Sequence, residues 1–229
     1  YGHKKSKTNP RFKPYIFTTR NGIEIIDITR TIPAIEEAAA FLRTLREKAG
    51  TLLIVATQPA ARDAVAEIVK KFCVLRVNEK WIGGLLTNFP VLSKRIEYYN
   101  RIRTALEKGE LEKYTKRERV MIARSIERMK KMFSGLEEFT KMPDVLFIVD
   151  PSLKGHATAL REARRLGIST VAIVDSDDDP DEITYPIPAN DHAKASIEWV
   201  MKKLMEKLEE PVPSVVHPAT VEVSEHQDA

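Results

Sequence analysis

Three unbroken apolar runs constrain the fold of this chain more than any other feature: Thr51-Leu52-Leu53-Ile54-Val55-Ala56-Thr57, Val145-Leu146-Phe147-Ile148-Val149 and Thr170-Val171-Ala172-Ile173-Val174. A continuous run, as opposed to one alternating with polar residues, marks a strand covered on both faces. The intervening sequence supplies the covers. Helices are expected over about residues 33–48 (Thr31 as cap, Gly50 as stop), 60–71, 157–166 and 193–208, with a further strand at 74–77 and a short edge piece at 183–187. Alternating βα units of this kind predict an α/β protein with a parallel sheet and helices on both faces. Ahead of them, Arg20-Asn21-Gly22 separates Tyr15-Ile16-Phe17-Thr18-Thr19 from Ile23-Glu24-Ile25-Ile26-Asp27. Asn-Gly between β-prone runs predicts a hairpin, because both turn residues tolerate positive φ.

The segment 92–136 breaks this rhythm. Leu92, Ile96, Tyr99, Ile102 and Leu106 recur at helical spacing, as do Ile122, Ile126, Met129, Phe133 and Leu136. Two helices with a narrow apolar seam and charges elsewhere predict an antiparallel coiled-coil hairpin inserted into the body. Gly109 helps to end its first helix, and Thr115-Lys116-Arg117-Glu118 reads as a capping box opening the second. The resulting organisation is a basic extended arm over 1–20, broken by Pro10 and Pro14, and a discontinuous α/β body over 21–91 and 141–209. The hairpin occupies 92–140, and an acidic, disordered tail is expected over 210–229.

Charge is segregated along the chain. The net charge is +4, yet residues 1–20 carry six Lys/Arg and no acid, residues 94–131 have a net +7, and residues 206–229 a net −5. Basic appendages on a mildly acidic body point to a polyanionic partner. No apolar run approaches the ~20 residues of a membrane span and no signal-like stretch opens the chain. The single cysteine, Cys73, excludes an intrachain disulfide framework, fits a reducing compartment and reads as a buried small hydrophobe. The chain opens on Tyr1 and not on methionine, so further residues are expected upstream.

Nucleotide-cofactor chemistry finds little support. It needs glycines between a strand and a helix N-terminus, whereas the turn after Val55 has none and the turn after Val149 has only Gly155. Asp150 and Asp175 both end buried strands and are placed to share a Mg²⁺ ion, which makes a metal-dependent hydrolase the alternative enzyme reading. The acidic run 175–182 starts like an EF-hand and then fails, with Pro180 where glycine is required and Pro186 at the final ligand position. His3, His156, His192, His217 and His226 show no metal-ligand spacing with one another or with Cys73, and His192 beside Asp191 reads as a cap or surface residue. Ser152 has no recognisable His and Asp companions. No catalytic residue, metal or cofactor is assigned.

A nucleic-acid interface accounts for more of the chain. His3, Lys4, Lys5, Lys7, Arg11 and Lys13 suit phosphate neutralisation, with Phe12 and Tyr15 as stacking faces. In Lys80-Trp81-Ile82-Gly83-Gly84-Leu85-Leu86-Thr87-Asn88-Phe89, Gly83 and Gly84 allow backbone N–H groups to form an anion nest. Thr87 and Asn88 add donors, Lys80 adds charge, and Leu85 and Leu86 read as core. Trp81 and the hairpin cations Lys94, Arg95, Arg101 and Arg103 complete the candidate set. A scaffold whose hairpin binds another protein without RNA is the remaining alternative.

These motifs also resemble, in order, those of the bacterial-type small-subunit ribosomal protein S-two family. The resemblance runs through Gly2-His3, Asn9-Pro10-Arg11-Phe12-Lys13-Pro14-Tyr15-Ile16, Arg20-Asn21-Gly22-Ile23 with Ile26-Asp27, and Trp81 to Phe89. It continues through Lys141-Met142-Pro143-Asp144, Val149-Asp150-Pro151, Leu166-Gly167-Ile168, Ile173-Val174-Asp175 and Tyr185-Pro186-Ile187-Pro188-Ala189-Asn190-Asp191, covering about residues 2–205. The family usually has Thr-Asn-Cys where this chain has Ser176, Asp177 and Asp178, and often Gly and Asp at Ala189 and His192. The resemblance implies a flavodoxin-like three-layer body with a coiled-coil insertion. It also implies a structural role on cytoplasmic or organellar ribosomes, bound to small-subunit rRNA and to neighbouring ribosomal proteins, including S-one where present. It implies no catalysis, no membrane and no small-molecule substrate.

Overall fold

A computed structural model describes residues 1–72, 74–110 and 114–210. Cys73 and the expected acidic tail beyond residue 210 lie outside the described residues. The Asn-Gly hairpin forms as expected: β1 (Ile16–Arg20) pairs antiparallel with β2 (Ile23–Ile26), and Asn21 and Gly22 turn with φ of 51° and 74°. Helix α1 (Ile28–Glu47) begins earlier than the sequence suggests. Its cap is Asp27, whose carboxylate accepts from the Thr29 N–H, while Thr31 lies inside the first turns and donates its hydroxyl to the Pro188 carbonyl at 2.6 Å. Pro33 lies inside the helix, past its first turn, so the Thr29 carbonyl lacks the N–H it would otherwise accept from.

The remaining elements alternate as anticipated: β3 (Leu52–Val55), α2 (Arg62–Phe72), β4 (Leu75–Val77), α3 (Phe89–Glu107), α4 (Lys116–Phe133), β5 (Val145–Val149), α5 (Lys154–Arg165), β6 (Ser169–Val174), β7 (Tyr185–Pro188) and α6 (Lys194–Glu209). The main sheet has the order β4-β3-β5-β6-β7 and every neighbouring pair is parallel. Counting only its own strands the order is 2-1-3-4-5, the flavodoxin-like arrangement, which puts a switch point between β3 and β5.

Side-chain alternation divides each strand between two covers. Val145, Phe147 and Val149 of β5 pack with Ile35, Ala38 and Leu42 of α1, Val65 and Ile68 of α2, and Ile197, Val200 and Met201 of α6. Leu146 and Ile148 face the opposite layer, built from Ala159, Leu160 and Ala163 of α5 together with Phe12, Trp81, Leu85 and the α3–α4 pair. Both faces being covered is why these strands read as continuous apolar runs.

Helices α3 and α4 meet along most of the expected seam: Leu92, Ile96, Tyr99, Ile126 and Phe133 are buried together, with Ile102, Ile122 and Met129 half-buried against them, while Leu106, at the end of α3, is exposed. The capping box at Thr115 is present in full, its hydroxyl accepting from the Glu118 N–H and the Glu118 carboxylate accepting from the Thr115 N–H. This establishes a helical pair; knobs-into-holes supercoiling is a further property, carried forward as an expectation.

The N-terminal segment departs from the expected extended arm. Residues 5–7 and 10–15 form 3₁₀ turns, Lys4 bridges to Ile23 of the hairpin, and the Asn9 N–H donates to the Ser176 carbonyl at 2.8 Å. Phe12 is 0% exposed. A large aromatic in a short segment gains about 2–3 kcal/mol by burial, enough to draw these residues onto the body.

Candidate nucleic-acid interface and a buried acidic cluster

The Trp-Gly-Gly loop does build an anion nest, and the anion it holds is internal. Glu162 on α5 is 7% exposed. Its Oε1 accepts from Trp81 Nε1 at 3.1 Å and from the Gly84 N–H at 2.7 Å. Its Oε2 accepts from the N–H groups of Leu86 and Thr87 at 3.0 and 3.2 Å, and from the Thr87 hydroxyl at 3.3 Å. Five donors on one carboxylate compensate its lost hydration and fix the loop on α5. The Gly84 N–H and the Thr87 hydroxyl, assigned from sequence to a phosphate, are therefore already committed. Glu162 escapes sequence analysis because it stands 75 or more residues from its partners; the one local signal is an acid between the buried Leu160 and Ala163.

The other candidates fall into two groups. Lys4, Lys5, Lys7, Lys13, Lys80, Lys94, Arg95 and Arg101 are exposed and, among the described residues, none pairs with a carboxylate. Arg101 leans over the Tyr98 ring. Gly83 and Asn88 are also exposed, and Asn88 stands before α3 with no side-chain cap bond. Arg11 and Arg103 are held internally. Arg11 Nη1 is 2.9 Å from Asp179 and its Nε 3.5 Å from Asp181; Arg103 pairs with Glu137 at 3.3 Å and lies over Tyr99. Trp81 and Phe12 are buried, which removes Phe12 as a stacking face; Tyr15 packs against it with ring centroids 5.4 Å apart.

His3 is also displaced from the basic group. The Gly2 N–H bonds the Glu24 carbonyl at 2.8 Å and the His3 N–H bonds Ser176 Oγ at 2.7 Å. A Cβ on Gly2 would stand 2.7 Å from Ser176 Oγ and 2.8 Å from Asp175 Oδ1, so only glycine allows this approach. His3 thereby reaches the carboxyl ends of the strands, where flavodoxin-like sheets form their crevice.

Asp150 follows β5, Asp175 and Asp178 follow β6, and Asp191 follows β7. They are 0%, 0%, 5% and 1% exposed. Asp150 takes a left-handed conformation, φ 65°, and its Oδ1 accepts from the Ser152 N–H and hydroxyl. His156 fixes this turn: the Thr57 N–H donates to Nε2 at 3.2 Å, so Nδ1 carries the proton given to the Asp150 carbonyl at 2.8 Å. Burial pushes the His156 pKa down, keeping the ring neutral. His3 Nδ1 stands 3.4 Å from Asp175 Oδ2 and 3.1 Å from Asp177 Oδ1. His192 places Nδ1 2.6 Å from Asp191 Oδ1 and Nε2 3.7 Å from Asp150 Oδ2. His192 is a surface residue and not a cap: α6 has no side-chain cap bond, and the Asn190 Oδ1, accepting from the N–H groups of His192 and Ala193, holds the turn ahead of it.

Burial, reinforced by repulsion from Asp150 and the neighbouring aspartates, pushes Asp191 up to about 11. Burial likewise raises Asp178 to about 7, with Asp150 and Asp177 adding repulsion against the opposing hydrogen bond from the Asp175 N–H. Asp175 is raised by burial despite the Ser176 N–H and the His3 ring.

These features define an α/β protein of the flavodoxin-like class, with a two-helix insertion, a basic exterior and an acidic cluster sealed at the strand ends. The profile described as "Ribosomal protein S2" matches residues 1–210. The chain is 37% identical over 208 residues to the small ribosomal subunit protein uS2 of Dehalococcoides mccartyi, covering 91% of this chain and 84% of that protein. It is 40% identical over 208 residues, with the same coverage, to uS2 of Dictyoglomus thermophilum. The chain belongs to the ribosomal protein S2 family.

Proposed function

We propose that this chain is a structural constituent of the small ribosomal subunit, holding rRNA through its exposed cations and packing against neighbouring ribosomal proteins. Family membership across residues 1–210 carries the reading. Lys4, Lys5, Lys7, Lys13, Lys80, Lys94, Arg95 and Arg101, exposed and unpaired with carboxylates among the described residues, support it as an electrostatic footprint for phosphates. Arg11 and Arg103 pair with carboxylates of the chain, which offsets part of the charge they bring to that footprint. The α3–α4 pair, with Val91, Tyr98, Met121 and Met132 exposed, suits a neighbouring protein or RNA helix, and S-one is among the neighbours the family likeness implies. Such a protein works on ribosomes in the cytoplasm.

The hydrolase reading is not favoured by the geometry, since Asp150 and Asp175 are fully buried. Sucrose-gradient sedimentation of tagged chain, at low and high salt and with and without RNase, tests the proposal. Co-migration with small subunits that RNase abolishes is expected; migration as a free protein would overturn it.

A further inference from the structure

At the amino ends of β3 and β4, the packing of the helices leaves a cavity of about 270 Å³. Its walls are Leu42 and Leu45 of α1, Ile68 and Phe72 of α2, Leu52 of β3 and Leu208 of α6. Leu42 and Ile68 are buried, whereas Leu45, Leu52, Phe72 and Leu208 are only partly buried, so apolar surface is left facing the space. Flavodoxin-like sheets hold small ligands at the carboxyl ends of their strands, and the volume falls below the ~300–1,000 Å³ of small-molecule pockets. A few apolar side chains of a peptide fit it better than a cofactor does.

The end of α6 lies beside this space and is held there. Arg43 Nη1 donates to the Lys207 carbonyl at 2.9 Å, Lys207 Nζ stands 3.4 Å from Glu36, and Lys71 pairs with Glu209. A shallow groove lined by Arg46, Lys71, Phe72 and Glu209 leads from the helix end to the cavity, with which it shares Arg46 and Phe72. The chain therefore leaves α6 at the mouth of an apolar cavity. The residues that follow Glu210, outside the described ones, are Pro211-Val212-Pro213-Ser214-Val215-Val216, an apolar stretch directly after a helix rich in charge.

We propose that this cavity is the docking site of the chain's own segment 211–216, with Val212, Val215 and Val216 supplying the side chains that cover it. Val212 is four residues beyond Leu208, and an extended chain of that length reaches up to about 14 Å, enough to follow the groove. Pro211 and Pro213 oppose a continued helix and reduce the freedom lost on docking. A linker this short raises the effective concentration of the valines at the cavity to roughly millimolar, so the contact needs little intrinsic affinity. Charge favours the same occupant. Arg46 and Lys141 are exposed at the rim, with Lys48 beside Lys141 in the adjoining cleft, against one acid in the cavity lining, Glu138. The residues after the valines carry Glu222, Glu225 and Asp228 and no Lys or Arg.

Methyl NMR of the full chain, labelled at Ile, Leu and Val, tests the docking. In the unaltered chain, nuclear Overhauser contacts are expected from Val212, Val215 or Val216 to Leu45, Leu52 or Leu208. Val212→Asp/Val215→Asp/Val216→Asp should abolish them and shift the methyl signals of Leu45, Leu52, Ile68 and Leu208. Leu146 and Ile148, packed in the opposite layer, report on the fold and should stay in place; should they move, the contacts in the unaltered chain decide alone. A Val221→Asp/Val223→Asp chain should leave the cavity signals unmoved, and movement there would overturn the choice of 211–216. Absence of the contacts, or cavity signals indifferent to the triple substitution, would overturn the proposal and leave the cavity to a neighbouring protein. Contacts that fade on dilution would mean that a second copy supplies the segment, which overturns it too.

Discussion

Glu162 and the aspartates at the strand ends are buried carboxylates with opposite solutions to one problem. Glu162 meets five donors on a glycine-rich loop, so its charge is satisfied and the loop is locked. Among the described residues, Asp150 and Asp175 keep one oxygen each without a hydrogen-bond partner, and the nearest nitrogen groups are imidazoles. A satisfied buried charge is a structural clamp; crowded, under-satisfied carboxyls instead hold protons that ordinary carboxylates release.

The largest expected effect lies at the clamp. Glu162→Ala strands Trp81 Nε1 and three loop N–H groups and should lower unfolding stability by about 3–5 kcal/mol in denaturant titrations. Glu162→Gln, which retains one acceptor oxygen, should cost about half as much by the same reasoning.

The next effect is pH-dependent. Asp178 holds its proton up to about 7 in the folded chain against an ordinary 3.8. Between those values the folded state carries a proton that the unfolded state has released. This group's contribution is therefore complete below about pH 4 and lost as pH rises towards 7, by at most about 1.4 kcal/mol per pH unit. Melting curves of Asp178→Asn should show that slope flattened. The smallest effect on stability is expected from Lys4→Gln/Lys5→Gln/Lys7→Gln, within about 0.5 kcal/mol. The same triple variant should reduce the steepness of the salt dependence of rRNA binding by about 2–3; an unchanged slope would remove these lysines from the interface.

The sheet was legible because strands covered on both faces leave unbroken apolar runs, and the hairpin because Asn21 and Gly22 suit only a few turns. The capping box at Thr115 is legible for the same reason, its partners being three residues apart. What escaped depends on distant residues. Asp27 displaced Thr31 as cap because helix α1 could start before Pro33. Phe12 read as an exposed ring until the body it packs on was present. The loop's glycines announced an anion without saying that Glu162 supplies it. His3 and His192 meet the aspartates only when β5, β6 and β7 end side by side.

The most direct test of the contrast is the unfolding free energy of the full chain between pH 4 and 7, for the unaltered chain, Glu162→Gln and Asp178→Asn. The account predicts that Glu162→Gln is less stable throughout yet loses stability with rising pH as the unaltered chain does, whereas Asp178→Asn flattens that slope. A slope that survives unchanged in Asp178→Asn, or a Glu162→Gln chain as stable as the unaltered one, would contradict it.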